Sequence, residues 1–151
     1  MIENKEDLEI RELNYFSPDY NSSLELRDQV LRKPLGLSLF DDNLENEKND
    51  IHIGAFVNQR IVGILILTRQ NSMEIKMRQV AVDEAFRNKK IGSQIVFFAE
   101  EYSINKGYST LLLNARKSAV GFYEKLGYEK ISEEFLEINI PHYKMRKSLD
   151  R

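Results

Sequence analysis

The run Arg87-Asn88-Lys89-Lys90-Ile91-Gly92-Ser93 sets three positive charges and a glycine directly before a helical repeat. Ile91, Ile95, Phe98 and Tyr102 recur at i, i+4, i+7 and i+11, one face of a helix that closes at Lys106-Gly107. Free amides at the start of such a helix, with the positive end of its dipole behind them, suit an anion such as phosphate. A solvated basic turn fits the same residues. Upstream, Met73, Ile75 and Met77 alternate with Glu74, Lys76 and Arg78, and after Gln79 the apolar residues Val80 and Val82 fall in the opposite phase. A slip of one residue is the trace of a β-bulge, which takes backbone groups out of the ladder. A strand end buried on both faces gives the same pattern.

Composition narrows the chemistry. The absence of cysteine excludes disulfides, thiolate zinc sites and a cysteine nucleophile. Two histidines, His52 and His142, are too few for a metal cluster, so no metal is expected. Lys and Arg number 22 against 24 Asp and Glu, a balance that points to no nucleic-acid partner. The basic loop lacks the G-x-x-x-x-G-K-[ST] spacing of a nucleotide-binding P-loop. The start MIENKEDLEI has no apolar core, and the run Ile61 to Leu67 is far too short for a bilayer. A soluble cytoplasmic protein is expected, and 151 residues suit a single domain, 1–151.

The elements around these residues follow from pattern. LEIRELN alternates as a strand, and Ser17-Pro18 opens a helix running to about Lys33 with loose periodicity, stopped by Pro34. Arg27 and Arg32 on it read as solvated charges, and the acidic stretch Asp41 to Asp50 as an exposed loop. Ile51, Ile53, Ala55 and Val57 alternate as a strand on which His52 points to solvent. Asn58-Gln59 then turns the chain into the buried central run Ile61 to Leu67. Ser109 to Leu113 is a short strand parallel to the one before the basic loop, the second half of a right-handed crossover. Ala119, Phe122, Tyr123 and Leu126 line one face of a helix ended by Gly127. Tyr128 to Ile131 and His142 to Leu149 are strands separated by an irregular EEFLEINIP. The order βαβββαβαββ is that of an α+β (α/β layered) fold with a mixed sheet.

Taken together, Arg87 to Gly92, VAVDEAF before it, and LLLNA and AVGFYEKLGY after it resemble the GCN5-related N-acetyltransferases over nearly the whole chain. Lys90 departs from the family loop Q/R-x-x-G-x-G/A, standing where its first glycine belongs. The resemblance implies the acyl-CoA N-acyltransferase (GNAT) fold, a mixed, mostly antiparallel central sheet flanked by helices. It also implies an acetyl-CoA co-substrate. Its acyl arm would lie along Val80, Ala81 and Val82, and its pyrophosphate on amides from Arg87, Asn88, Lys89, Lys90, Ile91, Gly92 and Ser93. Phe122 and Asn114 are further implied cofactor contacts, although Arg116 occupies the usual asparagine position seven residues before Tyr123.

The implied reaction is direct attack of a primary amine on the thioester in a ternary complex. The amide near Val80 would stabilise the oxyanion, and Tyr123 would protonate the departing sulfur. Glu74, Glu137 and His142 are candidate bases. Ile140 to Met145, Arg32 to Gly36 and Arg78-Gln79 resemble a generic bacterial branch of the family, which makes Arg32, Arg78 and His142 substrate-side candidates for an unidentified amine acceptor. Related folds commonly dimerise, so a homodimer is an expectation. A non-catalytic acyl-CoA-binding or regulatory module is the alternative.

Overall fold

The computed structural model describes residues 7–87 and 90–149. The chain divides into two compact units, Met1–Leu67 with Gln79–Ala99, and Thr68–Arg78 with Glu100–Arg151.

In the first unit, β1 (Leu8–Leu13) pairs antiparallel with β2 (Ile51–Val57), which pairs antiparallel with β3 (Arg60–Arg69). Asn58 and Gln59, at φ 50° and 69°, make the two-residue turn between β2 and β3. Two successive left-handed residues match the twist of a tight hairpin. Every residue of β2 is buried, as are Val62 and the run from Ile64 to Leu67 in β3.

Helix α1 (Pro18–Arg27) starts where Ser17 accepts the Tyr20 amide at 3.1 Å. It then widens into a π turn, Asp28–Arg32, and tightens into a 3-10 turn, Lys33–Leu35. Gly36 at φ 73° closes the end, with Leu37 N–H donating to Arg32 O at 3.0 Å. The expected single helix to Lys33 is therefore three successive windings, which is why its 3.6-residue period looked loose. Pro34 sits inside the last turn, and the stop falls at Gly36. The widened turn delivers Val30 and Leu31 to a core of Leu13, Leu26, Phe56, Ile64 and Ala81.

Expectations about exposure fail in this unit for one reason. Arg27, expected to be solvated, has 0% exposure and is clamped by Glu47 from the stretch expected to be an exposed loop. That stretch carries two 3-10 turns, Leu39–Asp41 and Leu44–Glu47. It lies back on α1, where Leu39 packs with Tyr20 and Leu24. His52, expected to face water, is buried with the Tyr20 ring edge-on at 5.2 Å. A charged side chain with a bonded partner can occupy an interior that its type alone would not suggest.

In the second unit, the Glu74–Met77 part of β4 (Glu74–Val82) pairs parallel with β5 (Thr110–Arg116). The last strand, β8 (Ile140–Ser148), pairs antiparallel with β5, with the short β6 (Glu129–Lys130) and with β7 (Phe135–Glu137). The segment expected to be irregular is thus a hairpin, β7 to β8, turned by Ile138 at φ 45° and Asn139 at φ 60°. A β-branched residue is rarely left-handed, so isoleucine there gave no turn signal. Ile75, Met77, Leu111, Leu113, Ala115 and Met145 share one buried face. The opposite face carries Lys76 and Arg78, Asn114 and Arg116, and His142, Lys144 and Arg146.

Helix α2 (Ile91–Asn105) gives residues to both units and ends at Gly107, φ 94°. Helix α3 (Val120–Lys125) follows a 3-10 turn and ends at Gly127, φ 99°. Tyr128, next in the chain, is buried and donates to Glu100 at 2.8 Å, and the Lys147 ammonium holds that carboxylate at 3.0 Å.

Candidate active site

The strand expected to slip phase carries one irregular residue at that point. Gln79, inside β4, has φ 59°, the left-handed conformation that a bulge residue adopts, ahead of Val80, Ala81 and Val82. Its side-chain Oε1 is buried without a hydrogen-bond partner. Of the three following residues, Ala81 is fully buried and Val80 and Val82 half-buried.

The basic loop is built on this strand. Asp83 N–H donates to Val62 O at 2.8 Å, and the Asp83 carboxylate caps the 3-10 turn Glu84–Phe86 and binds Arg60 at 2.9 Å. Gly63 lies where this strand and α2 approach. A methyl group there would lie 3.3 Å from Ala55 Cβ, the tightest contact, and 3.4 Å from Ile91 Cγ2 and 3.7 Å from Ala81 O, which places the first residue of α2 near the strand.

Arg87 and Lys90 are exposed, Ile91 is buried, and Gly92 and Ser93 are half-buried. Lys90, where the family glycine stands, has φ 62°, so the position does use the conformation that glycine adopts freely. Its carbonyl accepts the Gln94 amide at 3.1 Å and the Ser93 hydroxyl at 3.1 Å. Asn88 and Lys89, expected to hold phosphate with these residues, lie outside the described residues. Arg32, a substrate candidate expected to be solvated, is instead buried, with its guanidinium bonded to Asp42 at 3.0 Å and to Leu31 O at 3.2 Å.

In the second unit, Tyr123 on α3 is buried, and that burial pushes its hydroxyl pKa well above the usual phenol range. The rings of Phe122 and Tyr128 stand edge-on to it at 5.0 and 5.7 Å. Phe122, expected on the same buried face, is exposed, and Val120 takes the inward position beside Tyr123.

The candidate bases separate. Glu74 accepts Asn71 Nδ2 at 2.9 Å within the β3–β4 turn. Glu137 and His142 come together instead, with Oε2 and Nε2 3.7 Å apart, and Asn114 donates to Glu137 Oε1 at 2.9 Å. Arg78 lies on the same polar sheet face and donates to Thr68 at 3.3 Å. Lys76, not singled out by its sequence, is half-buried on that face. Desolvation lowers its ammonium pKa, with Glu137 opposing and Arg78 and Lys144 adding to the effect.

The buried cluster of the first unit had no sequence signal. Glu47 binds both terminal nitrogens of Arg27 and accepts the Tyr20 hydroxyl at 3.0 Å, while its carbonyl lies 2.9 Å from His52 Nε2. Among the described residues, no group of three or more His, Asp or Glu could hold a metal ion, and no helix is long and apolar enough to cross a membrane.

Residues 30–149 match the acetyltransferase (GNAT) domain, and the chain belongs to the GNAT acetyltransferase family. YjcF, an uncharacterized N-acetyltransferase of Bacillus subtilis, is 35% identical over 107 residues, covering 70% of this chain and 74% of that protein. The match to YyaT of the same organism is 37% identical over 76 residues, 50% of this chain, and spans about half (51%) of YyaT. Among solved structures, Escherichia coli ElaA is similar at TM-score 0.80 and 21% identity, over 93% of this chain and 99% of ElaA. A GNAT family acetyltransferase from Elizabethkingia anophelis with acetyl-CoA bound is similar at TM-score 0.70 and 18% identity, over 95% and 99%. The fold is accordingly that of the acyl-CoA N-acyltransferases, a mixed, mostly antiparallel sheet flanked by helices.

Proposed function

We propose that the chain is an acetyl-CoA-dependent N-acetyltransferase, one domain over residues 1–151, acting on a primary amine by direct attack in a ternary complex. The observation that carries this reading is left-handed Gln79 in the middle of β4, an irregularity just ahead of Val80 to Val82 and near the start of α2. The donor set there fits a CoA pyrophosphate. Arg87 and Lys90 supply exposed cations, and Ile91, Gly92 and Ser93 open a 15-residue helix whose first amides have no partner within it. Membership in the family, and the relative carrying acetyl-CoA, support the same ligand.

Acetyl-CoA supplies an acyl group already activated as a thioester. In this reading the Val80 amide donates to the carbonyl oxygen as negative charge builds on it. Tyr123 gives its proton to the departing sulfur, and a phenol with a raised pKa still holds that proton throughout the neutral range. Without cysteine, direct transfer needs no thioester on the protein. Asn114 and Phe122 complete the proposed cofactor contacts.

Calorimetry with acetyl-CoA, followed by CoA release against an amine panel, tests this. Binding in the micromolar range and amine-dependent CoA release, both expected, support it. Absence of acetyl-CoA binding overturns it. Binding without CoA release above hydrolysis for any amine replaces it with a non-catalytic acyl-CoA-binding module.

A further inference from the structure

This inference rests on the acetyl-transfer reading and names its acceptor. The side chains of His142, Glu137 and Asn114 meet in the second unit. His142 Nδ1 lies 2.7 Å from Ile140 O. A carbonyl only accepts, so Nδ1 carries hydrogen, and Nε2 is the ring nitrogen that can take a proton. It lies 3.7 Å from Glu137 Oε2, a carboxylate placed to attract the protonated ring. Glu137 is held in place through Oε1 by Asn114 Nδ2 at 2.9 Å, while Oδ1 of the same carboxamide is buried with no partner. The His142 side chain is 4% exposed and that of Glu137 is 48% exposed, so the group is closed at the imidazole and open to solvent at the carboxylate. A primary ammonium brings three N–H donors and can meet Glu137 Oε2 on its open side, with His142 Nε2 3.7 Å from that oxygen.

The surrounding charges restrict which amine fits. Lys144 stands directly opposite Asn114 in the β5–β8 register, and Arg116 opposite His142. Lys76 shares this face, and its ammonium interacts with Glu137, Arg78 and Lys144. Cations thus outnumber this carboxylate on the polar face of the sheet. A diamine or polyamine would bring a second positive charge to that face, whereas an amine with its own carboxylate matches both signs.

We propose that Glu137, His142 and Asn114 form an ammonium receptor for a primary amine carrying a carboxylate a few bonds from its amino group, with Lys144 and Lys76 receiving that carboxylate. His142 Nε2 takes the proton. One N–H bond of the ammonium breaks, the Nε2–H bond forms, and the electron pair stays on the amine nitrogen as the nucleophile. Glu137 balances the imidazolium, and an incoming carboxylate offsets the mutual repulsion of Lys76 and Lys144.

The test is a titration of the CoA-loaded protein with glycine, β-alanine and 4-aminobutyrate, against methylamine and 1,4-diaminobutane, followed by NMR of the His142 ring. Amino carboxylates should shift the His142 signals and bind at least about tenfold more tightly than the plain amines. Lys144→Gln should erase that preference, and Glu137→Gln should weaken every amine about tenfold or more. Equal or tighter binding of the diamine, or unmoved His142 signals in the unmutated protein, overturns the proposal. The acetyl-CoA titration reports separately on the acetyl-transfer reading, so failure of one is distinguishable from failure of the other.

Discussion

Arg27 and Glu47 form a two-pronged ion pair inside the first unit, with Nη1 to Oε1 at 2.8 Å and Nη2 to Oε2 at 2.6 Å. The pair ties α1 to the stretch that leads into β2, and Tyr20 adds a third bond to the same carboxylate. Breaking one partner leaves the other charged and buried. Glu47→Gln should therefore destabilise the fold by about 3–5 kcal/mol in urea unfolding. The double change Arg27→Met with Glu47→Leu should be far milder, because no charge is stranded. Equal losses in the single and double variants would show that packing, and not the stranded charge, governs this region.

The same pair sets an acid limit. Burial alone would raise the Glu47 pKa, but the Arg27 hydrogen bonds and charge outweigh it, helped by Tyr20 and His52, and hold it below the ordinary value of 4.5. A carboxyl whose folded pKa lies below its unfolded value stabilises fully above the unfolded value. That contribution is lost as pH falls from about 4.5 through the folded pKa. Unfolding free energy measured from pH 6 to 3 should fall more steeply for the unmutated protein than for the Arg27→Met, Glu47→Leu variant. Parallel slopes would count against this origin.

Lys90 joins a charge to a left-handed backbone, and two substitutions separate them. Lys90→Ala removes the charge and keeps the Cβ, while Lys90→Gly removes both. Glycine should be the more stable of the two by about 1 kcal/mol, read as a difference in thermal or urea unfolding. Both should bind acetyl-CoA more weakly than the unmutated chain at low salt, with the gap closing at high salt as screening removes the charge effect. If alanine matches glycine in stability, the left-handed conformation carries no penalty at this position.

Much of this arrangement is legible in the residues. The irregularity read at Gln79 coincides with a single left-handed residue, and the basic run does precede α2. Periodicity reports which face a residue is on, and a bulge shifts every later face at once. The sequence does not reveal partners distant along the chain. Nothing local to Arg27, 20 residues from Glu47, says that a counter-charge will cover it. The β7–β8 turn is hidden differently, because Ile138 adopts a conformation that its side chain disfavours. The meeting of Glu137, His142 and Asn114 likewise depends on that unforeseen hairpin.

Tyr123 offers a check on catalysis that leaves folding largely untouched. Tyr123→Phe keeps the ring contacts with Phe122 and Tyr128 and removes only the hydroxyl. It should lower kcat by about 10²–10⁴ if the phenol is the acid, with acetyl-CoA affinity little changed. Burial raises the folded pKa of this tyrosine above 10.0, so the hydroxyl stays protonated throughout the ordinary assay range. The unmutated enzyme should therefore show no activity loss assignable to Tyr123 as pH rises to 10, and any basic limb seen below that should persist in Tyr123→Phe. A basic limb that disappears in the phenylalanine variant would mean that the phenol titrates within the range and that its burial is relieved when substrate binds. An unchanged kcat would remove the hydroxyl from the chemistry and leave Tyr123 as a packing residue of α3.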